Sequence, residues 1–283
     1  MTRDLVDALA ELGWSLWTEL GVPGVVRRHR STVIDVEVLV CFTPWLARAD
    51  ARLYEEARRW CIVHRAWLSR SRMKALQKAS PTAAASVPGS FLHSLDTPEF
   101  FGSRGKPHLD RPSLLQLRLR ALSGVGARAD VLGQLLRYKG QPVTAADVAW
   151  LGYSKRAVAA VLAELELANL AYARREGNRV AYSLAKADEF GEWVGAAELE
   201  WVDWRRVFLL LYEVDLLVAQ QEKPHPVRRV RAATQRDVLA SLADHLGLQR
   251  PPSVAGVPMA WELLSEWGLE QARVLARAPR AEP

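Results

Sequence analysis

Apolar residues recur every three or four positions along most of this chain, which is the spacing of amphipathic helices. The first such pattern covers residues 3–20, where five leucines lie at helical intervals before Gly21 and Pro23 end the run. Patterns of the same kind predict helices that begin near Asp35, after Asp50, at Arg70 and at Pro112. The last third of the chain adds three more patterns, over residues 207–221, 236–246 and 259–276.

The periodicity is lost around residues 80–112, where Pro, Ser and Gly are frequent. Such a composition is typical of a linker. We therefore predict four segments: an N-terminal helical domain (1–80), a linker (81–112), a central domain (113–186) and a C-terminal helical domain (187–283).

The central domain combines helix and turn signals in a defined order. A helix is predicted from Ala127 to Tyr138, and Thr144 is a good N-cap for a short second helix that ends before Gly152. Ser154 can cap a third helix that reaches Ala168, after which an asparagine can adopt the left-handed conformation.

A β-hairpin is predicted directly after this third helix. Residues 170–175 and 179–184 alternate apolar and polar positions on either side of a turn at Glu-Gly-Asn, with Gly177 at its centre. This order of helices, turns and strands predicts a mainly α fold: a winged helix-turn-helix with a small β-hairpin wing at about residues 126–185, flanked by N-terminal and C-terminal helical domains.

This arrangement suits DNA because a helix of such a size fits the major groove and its N-terminal residues reach base edges. Arg156 is positioned to contact guanine, while the helix N-terminus can hold a phosphate. Arginines of the wing are suited to phosphates or to an adjacent minor groove. The expected DNA-binding residues are Thr144, Tyr153, Ser154, Lys155, Arg156, Arg174, Arg175, Asn178 and Arg179.

About sixty residues resemble the winged helix-turn-helix domains of MarR-like and ArsR-like bacterial regulators. The resemblance is carried by Thr-Ala-Ala-Asp-Val-Ala from Thr144, Gly-Tyr-Ser-Lys-Arg-Ala-Val from Gly152, and Leu-Ala-Glu-Leu-Glu-Leu-Ala-Asn-Leu from Leu162. It implies sequence-specific binding to double-stranded DNA by a transcriptional regulator, most simply a repressor that binds a palindromic site as a homodimer. Drug or metal sensing is not implied, since the dimerising helix pair and metal-binding cysteines of those families are missing.

A second helix-turn-helix is an alternative for residues 54–78, where a helix is followed by Trp-Leu-Ser and a basic helix. Its DNA contacts would be Arg65, Ser69, Arg70, Arg72 and Lys74. The competing interpretation is a helical hairpin with a solvated basic face. We favour the hairpin slightly, because no wing follows.

The charge distribution favours the binding of a polyanion by the first two thirds of the chain. Residues 1–186 carry a net charge of +10, whereas residues 187–283 carry −4. Acidic residues interrupt the longest apolar stretches, and the first eleven residues lack the apolar region of a secretory signal. We therefore expect a cytoplasmic protein with no membrane anchor, in which Cys41 and Cys61 are buried free thiols.

The sequence contains no pattern typical of catalysis. Its six histidines form no His-Glu-x-x-His or His-x-His pair, and its two cysteines form no Cys-x-x-Cys pair. Gly102–Lys106 lacks the spacing of a phosphate loop, and Gly124 and Gly126 lack the third glycine of a dinucleotide fingerprint. We expect no enzyme, no metal and no cofactor.

Three short segments outside the central domain resemble bacterial winged-helix proteins encoded beside nucleotidyltransferase toxins of the AbiEii type. They are Leu-Trp-Thr-Glu-Leu-Gly-Val from Leu16, Phe-Thr-Pro-Trp-Leu from Phe42 and Trp-Leu-Ser-Arg-Ser-Arg-Met from Trp67. The resemblance implies an alternative function: an antitoxin or defence-system subunit that neutralises a toxin or other partner protein and represses its own operon. The acidic C-terminal third would then supply dimerisation or the partner surface.

Overall fold

A computed structural model describes residues 2–24, 27–79, 107–219, 225–253 and 260–276. Over these residues the chain forms twelve α-helices and five short strands, so the prediction of a mainly helical protein is confirmed. Most of the predicted linker, residues 81–106, lies outside the described residues.

Four helices and one short strand form the N-terminal part. Asp35 and Asp50 are the N-caps of two of these helices, since their carboxylates accept hydrogen bonds from the N–H groups of Val38 (3.2 Å) and Leu53 (3.1 Å). The elements are α1 (Thr2–Glu19), β1 (Thr32–Val33), α2 (Val36–Leu46), α3 (Ala51–Val63) and α4 (Arg70–Ala79).

The central part contains four helices and a three-stranded antiparallel sheet. Its helices are α5 (Leu115–Ser123), α6 (Ala127–Arg137), α7 (Ala145–Val148) and α8 (Lys155–Leu167). Its strands are β2 (Val143–Thr144), β3 (Ala171–Glu176) and β4 (Arg179–Leu184), in the order β2-β4-β3. The predicted helices and hairpin of this segment therefore form, and α7 is continued by a short 3₁₀ turn to Leu151.

The C-terminal part supplies four helices and the strand β5, which pairs in parallel with β1. The elements are α9 (Ala187–Trp193), β5 (Glu200–Trp201), α10 (Trp204–Ala219), α11 (His225–Leu246) and α12 (Ala260–Ala276). Helix α11 begins eleven residues before the predicted start at Arg236. The prediction missed these residues because the arginine-rich first half of the helix carries no clear apolar stripe.

Two hydrophobic cores organise these elements. The first core joins α1–α4 to α10–α12, with fully buried Leu12, Trp17, Phe208 and Leu211 among its members. The second core lies between α5–α9 and the hairpin and contains Val131, Leu135 and Leu162 among others. The N-terminal and C-terminal segments thus bury their apolar faces against each other, and their assignment to separate domains, 1–80 and 187–283, is corrected to one shared core.

Both cysteines are free and buried, as predicted. Burial raises the pKa of Cys41 to about 12, so its thiol stays protonated. In the part of the chain that the structure describes, no helix combines the length and the apolar character needed to cross a lipid bilayer.

Candidate nucleic-acid interface

Helix α7 and helix α8 each begin at a capping residue, and a tight turn connects the two helices. Thr144 donates hydrogen bonds from its N–H (2.8 Å) and its hydroxyl (2.7 Å) to Asp147, and these bonds lower the pKa of that carboxyl. Gly152 has a φ of 92°, a left-handed conformation that favours glycine and lets the chain reverse before α8. Ser154 then accepts a hydrogen bond from the N–H of Ala157 (3.1 Å), which confirms it as the N-cap of α8.

Helix α8 presents one exposed row of side chains to solvent. Val158, Leu162 and Leu165 are buried against the second core, so the opposite side of the helix points outward. The outermost row, with one residue per turn, is Arg156, Ala160, Ala163 and Leu167, and all four are exposed. An arginine at the start and two small residues behind it leave a helix face that another surface can approach closely.

The hairpin extends beside this helix. Gly177 lies in its two-residue loop with a φ of 59°, and β3 and β4 pair in register with Arg175 opposite Val180 and Arg174 opposite Ala181. Because adjacent residues of a strand point to opposite faces, Arg174 and Arg175 leave the hairpin on different sides. The four predicted contacts Arg174, Arg175, Asn178 and Arg179 are all exposed.

Tyr153 points inward, away from the exposed start of α8. Its hydroxyl donates a hydrogen bond to Asp130 (2.7 Å) on α6, and the ring is partly buried. Burial and the neighbouring Asp130 both raise the pKa of Tyr153, so the hydroxyl keeps its proton for this bond. The predicted DNA contact of Tyr153 is therefore replaced by a role in positioning the turn.

Beneath the turn lies a buried ion cluster that consists of two arginines and three carboxylates. Arg120 on α5 binds Glu37 through both terminal nitrogens (2.6 and 2.7 Å) and also binds Asp130 (3.0 Å). Arg72 on α4 binds Asp35 (2.5 and 2.7 Å) and Glu37 (2.7 Å). Burial opposes the ionisation of Glu37, but the arginines outweigh it and lower its pKa to about 2.

The ion cluster connects the two cores to the start of α8. Arg72 donates from Nε to the carbonyl oxygen of Leu151 (2.6 Å), one residue before Gly152, while Asp130 holds Tyr153, one residue after it. Helices α2 and α4 of the first core and α5 and α6 of the second core all contribute to the cluster. The turn before α8 is thereby fixed from both sides.

The ion cluster also corrects the alternative of a second helix-turn-helix. Arg72 is completely buried and Ser69 is 6% exposed, with its N–H donated to Glu37 (2.8 Å), so neither can contact a phosphate. Arg65 is partly buried, whereas Arg70 and Lys74 are exposed on α4. The residues expected to form one DNA-binding row are thus divided between the interior and the surface.

Sequence reasoning missed the ion cluster, although a signal was present. Glu37 stands in an otherwise apolar segment, Val-Glu-Val-Leu-Val-Cys-Phe, and Arg120 lies between Leu119 and Ala121. A charged residue at a core position requires a buried partner, since an unpaired charge is too costly to bury. Glu37, however, does not identify its partners, because Arg72 and Arg120 lie 35 and 83 positions away along the chain.

Comparison of the chain with protein families, with curated proteins and with solved structures finds no match. The interpretation of this surface therefore depends on its own geometry and charge.

Proposed function

We propose that this protein binds double-stranded DNA through α8 and the β3–β4 hairpin, as a winged helix-turn-helix regulator of transcription. The observation that supports this most directly is the exposed row of α8, in which Arg156 at the helix N-terminus precedes Ala160 and Ala163. Four further exposed polar or basic side chains lie on the adjacent hairpin.

The row matches the chemistry of the major groove. Arginine forms bidentate hydrogen bonds with the O6 and N7 atoms of guanine, and alanine makes apolar contacts with the methyl group of thymine. The small side chains of Ala160 and Ala163 allow the helix axis to approach the base edges. Ser154 and the first N–H groups of α8 are placed to bind a phosphate at the groove edge.

The hairpin would increase the affinity for DNA but contribute little to the discrimination between base sequences. Arg174, Arg175 and Arg179 carry three positive charges on a narrow projection, which suits the sugar-phosphate backbone. We further propose that a homodimer binds a palindromic site and represses transcription, because two copies of such a surface bind two half-sites about one helical turn apart.

The test is an electrophoretic or fluorescence titration of the duplex upstream of the protein's own reading frame, with the same duplex scrambled as a control. Ala163→Glu places a carboxylate at the centre of the proposed interface, and we expect the affinity to fall about tenfold or more. Ala51→Glu is the matched control, since Ala51 is an exposed position in the first turn of α3. Equal binding by the two variants would refute the proposed interface.

A second candidate function is the binding of a partner protein, as in an antitoxin or a defence-system subunit. It is favoured by three exposed apolar side chains at the end of the exposed row and just beyond it: Leu167 (86% exposed), Leu170 (39%) and Tyr172 (64%). Binding through such an apolar surface changes little with salt, whereas DNA binding weakens steeply as the salt concentration rises. A titration at two ionic strengths separates the two functions.

A further inference from the structure

An open groove of about 280 Å³ lies between the end of α5 and the end of α9, and we call it the α5–α9 groove. Its walls are formed by Arg118, Leu122, Glu192, Trp193, Val194 and Gly195. None of these residues belongs to α8 or to the hairpin, so the groove is separate from the proposed DNA interface.

Two large apolar side chains of this groove are exposed to solvent. Trp193 is 69% exposed, whereas the other tryptophans whose burial the structure describes are buried or partly buried. The ring of Trp193 packs on one side against Phe190 (ring centroids 5.8 Å apart), and Leu122 across the groove is 51% exposed. Exposed apolar side chains that lie together indicate a surface that binds another macromolecule.

Two opposite charges line the same groove without binding each other. The guanidinium of Arg118 is partly buried and donates to the carbonyl oxygens of Pro112 (2.9 Å) and Gly195 (3.5 Å), but to no carboxylate among the described residues. Burial therefore lowers the pKa of Arg118, and the charge of Asp110 opposes this only in part. Glu192 is exposed and forms no ion pair in the part of the chain that the structure describes.

A twofold axis at the groove would satisfy both charges at once. In a symmetric dimer the same patch meets itself, so each contact between two different residues occurs twice. An arginine and a glutamate that do not pair within one copy can therefore pair between copies, Arg118 of each with Glu192 of the other. A purely acidic or purely basic partner would satisfy only one of the two charges, so the charge pattern favours a second copy of the chain.

We propose that the α5–α9 groove is the surface through which two copies of this protein bind each other. Two ion pairs between Arg118 and Glu192 form its rim, and Trp193 and Leu122 of both copies form its apolar centre. Tryptophan and arginine are among the residues that most often carry the binding energy of an interface. The use of this dimer on a palindromic DNA site rests on the proposed function, whereas the self-association does not.

Sedimentation equilibrium of the purified full chain, without DNA, tests the surface. We expect a monomer–dimer equilibrium with a Kd of about 10 µM or tighter. Glu192→Arg places two arginines opposite each other and Arg118→Glu places two glutamates opposite each other, so each variant should weaken the dimer at least about tenfold. Glu266→Arg makes the same charge change at an exposed position of α12 and should leave the Kd unchanged.

A mixture of the two charge variants separates a direct ion pair from damage to the fold. In a mixed dimer of Arg118→Glu with Glu192→Arg, the new glutamate faces the new arginine, and the remaining glutamate faces the remaining arginine. All charges at the rim are again opposite. We therefore expect the equimolar mixture to dimerise with about the Kd of the unmodified protein, at concentrations at which each variant alone is monomeric.

Trp193→Ala tests the apolar centre and the consequence for DNA. Because the side chain is largely exposed, the melting temperature should change little, while the Kd of the dimer should rise at least about tenfold. The variant keeps the net charge, so it can also be used in the DNA titration. Loss of the dimer should lower its affinity for the upstream duplex, since two half-sites are then bound separately.

The proposal is overturned if the unmodified protein stays monomeric at about 100 µM, which would assign the groove to another occupant. It is also overturned if Glu192→Arg or Trp193→Ala dimerises as Glu266→Arg does, or if the mixture of charge variants stays monomeric. A dimer that forms as expected but binds no duplex would refute the proposed function and leave the surface in place. Normal DNA binding by a protein whose dimer ignores all these variants would refute the surface alone.

Discussion

Arg120 and Glu37 form a two-pronged ion pair in the interior of the protein. Nη1 and Nη2 of Arg120 lie 2.6 and 2.7 Å from the two carboxylate oxygens of Glu37, and both side chains are completely buried. The pair joins α5 to α2 across 83 positions of the chain. The ion pair therefore stabilises the contact between the two cores, and this contribution to stability depends on both partners being present.

The first prediction is that Arg120→Met strongly destabilises the protein. Removal of Arg120 leaves Glu37 buried with two of its five hydrogen bonds lost, which costs about 3–5 kcal/mol in the free energy of unfolding. Urea unfolding measures this change. Arg128→Met is the control, because the pair of Arg128 with Glu164 is about half exposed (50% and 54%) and should contribute less than about 1 kcal/mol. Similar losses in the two variants would contradict a special role of the buried pair.

The second prediction concerns the hydrogen bond of Tyr153 with Asp130. Tyr153→Phe removes only the hydroxyl and leaves a buried carboxylate oxygen with one donor fewer, so the free energy of unfolding should fall by about 1–3 kcal/mol. Tyr172→Phe makes the same change at a side chain that is 64% exposed, and should have almost no effect. If Tyr153 instead contacts DNA, the variant would lose DNA affinity without a loss of stability.

Local structure in the central segment could be predicted because its signals act over a few residues. Thr144 and Ser154 cap helices within three positions, Gly152 and Gly177 adopt left-handed conformations, and Asn169 has a φ of 57° at the end of α8. Each of these depends on the neighbouring residues alone. The positions and types of these elements therefore follow from the sequence.

Long-range packing could not be predicted in the same way. The apolar stripes of α1 and α12 show that each helix needs a partner, but any other stripe of similar width would satisfy that need. The buried charges give the same kind of incomplete information, as Arg72 illustrates. Its basic side chain predicts a place on the surface, although the same residue is equally suited to a buried cluster once Asp35 and Glu37 lie beside it.

The third prediction separates sequence recognition from electrostatic attraction. Arg156→Ala should reduce the preference for the native duplex by about 1–3 kcal/mol, since it removes a base contact. Arg175→Ala should weaken native and scrambled duplexes alike and reduce the dependence of affinity on salt by about one released counterion. Titrations at several salt concentrations measure both effects. An Arg156→Ala variant that keeps the full preference would show that α8 does not contact bases.

The fourth prediction starts from His29, which lies in the first core between α1 and the end of α12. Because a carbonyl only accepts, Nε2 donates to the carbonyl oxygen of Leu275 (3.3 Å), and Nδ1 accepts from the hydroxyl of Ser15 (2.8 Å). The ring also packs edge-on against Trp204. Burial is the largest influence and lowers the pKa of His29 to about 4, although the bond to Leu275 and the charge of Glu19 oppose it.

A lowered histidine pKa makes stability depend on pH in a defined direction. Between its ordinary pKa of 6.5 and about 4, the unfolded chain binds a proton that the folded chain does not, so stability is present above pH 6.5 and is lost as the pH falls towards 4. The loss should reach about 3 kcal/mol, and His29→Gln should remove that part of the pH dependence. His245→Gln on the exposed side of α11 is the control. Urea unfolding at pH 7, 5.5 and 4.5 measures how the free energy of unfolding changes with pH. An equal change in the unmodified protein and in His29→Gln would show that His29 is not buried in its neutral form.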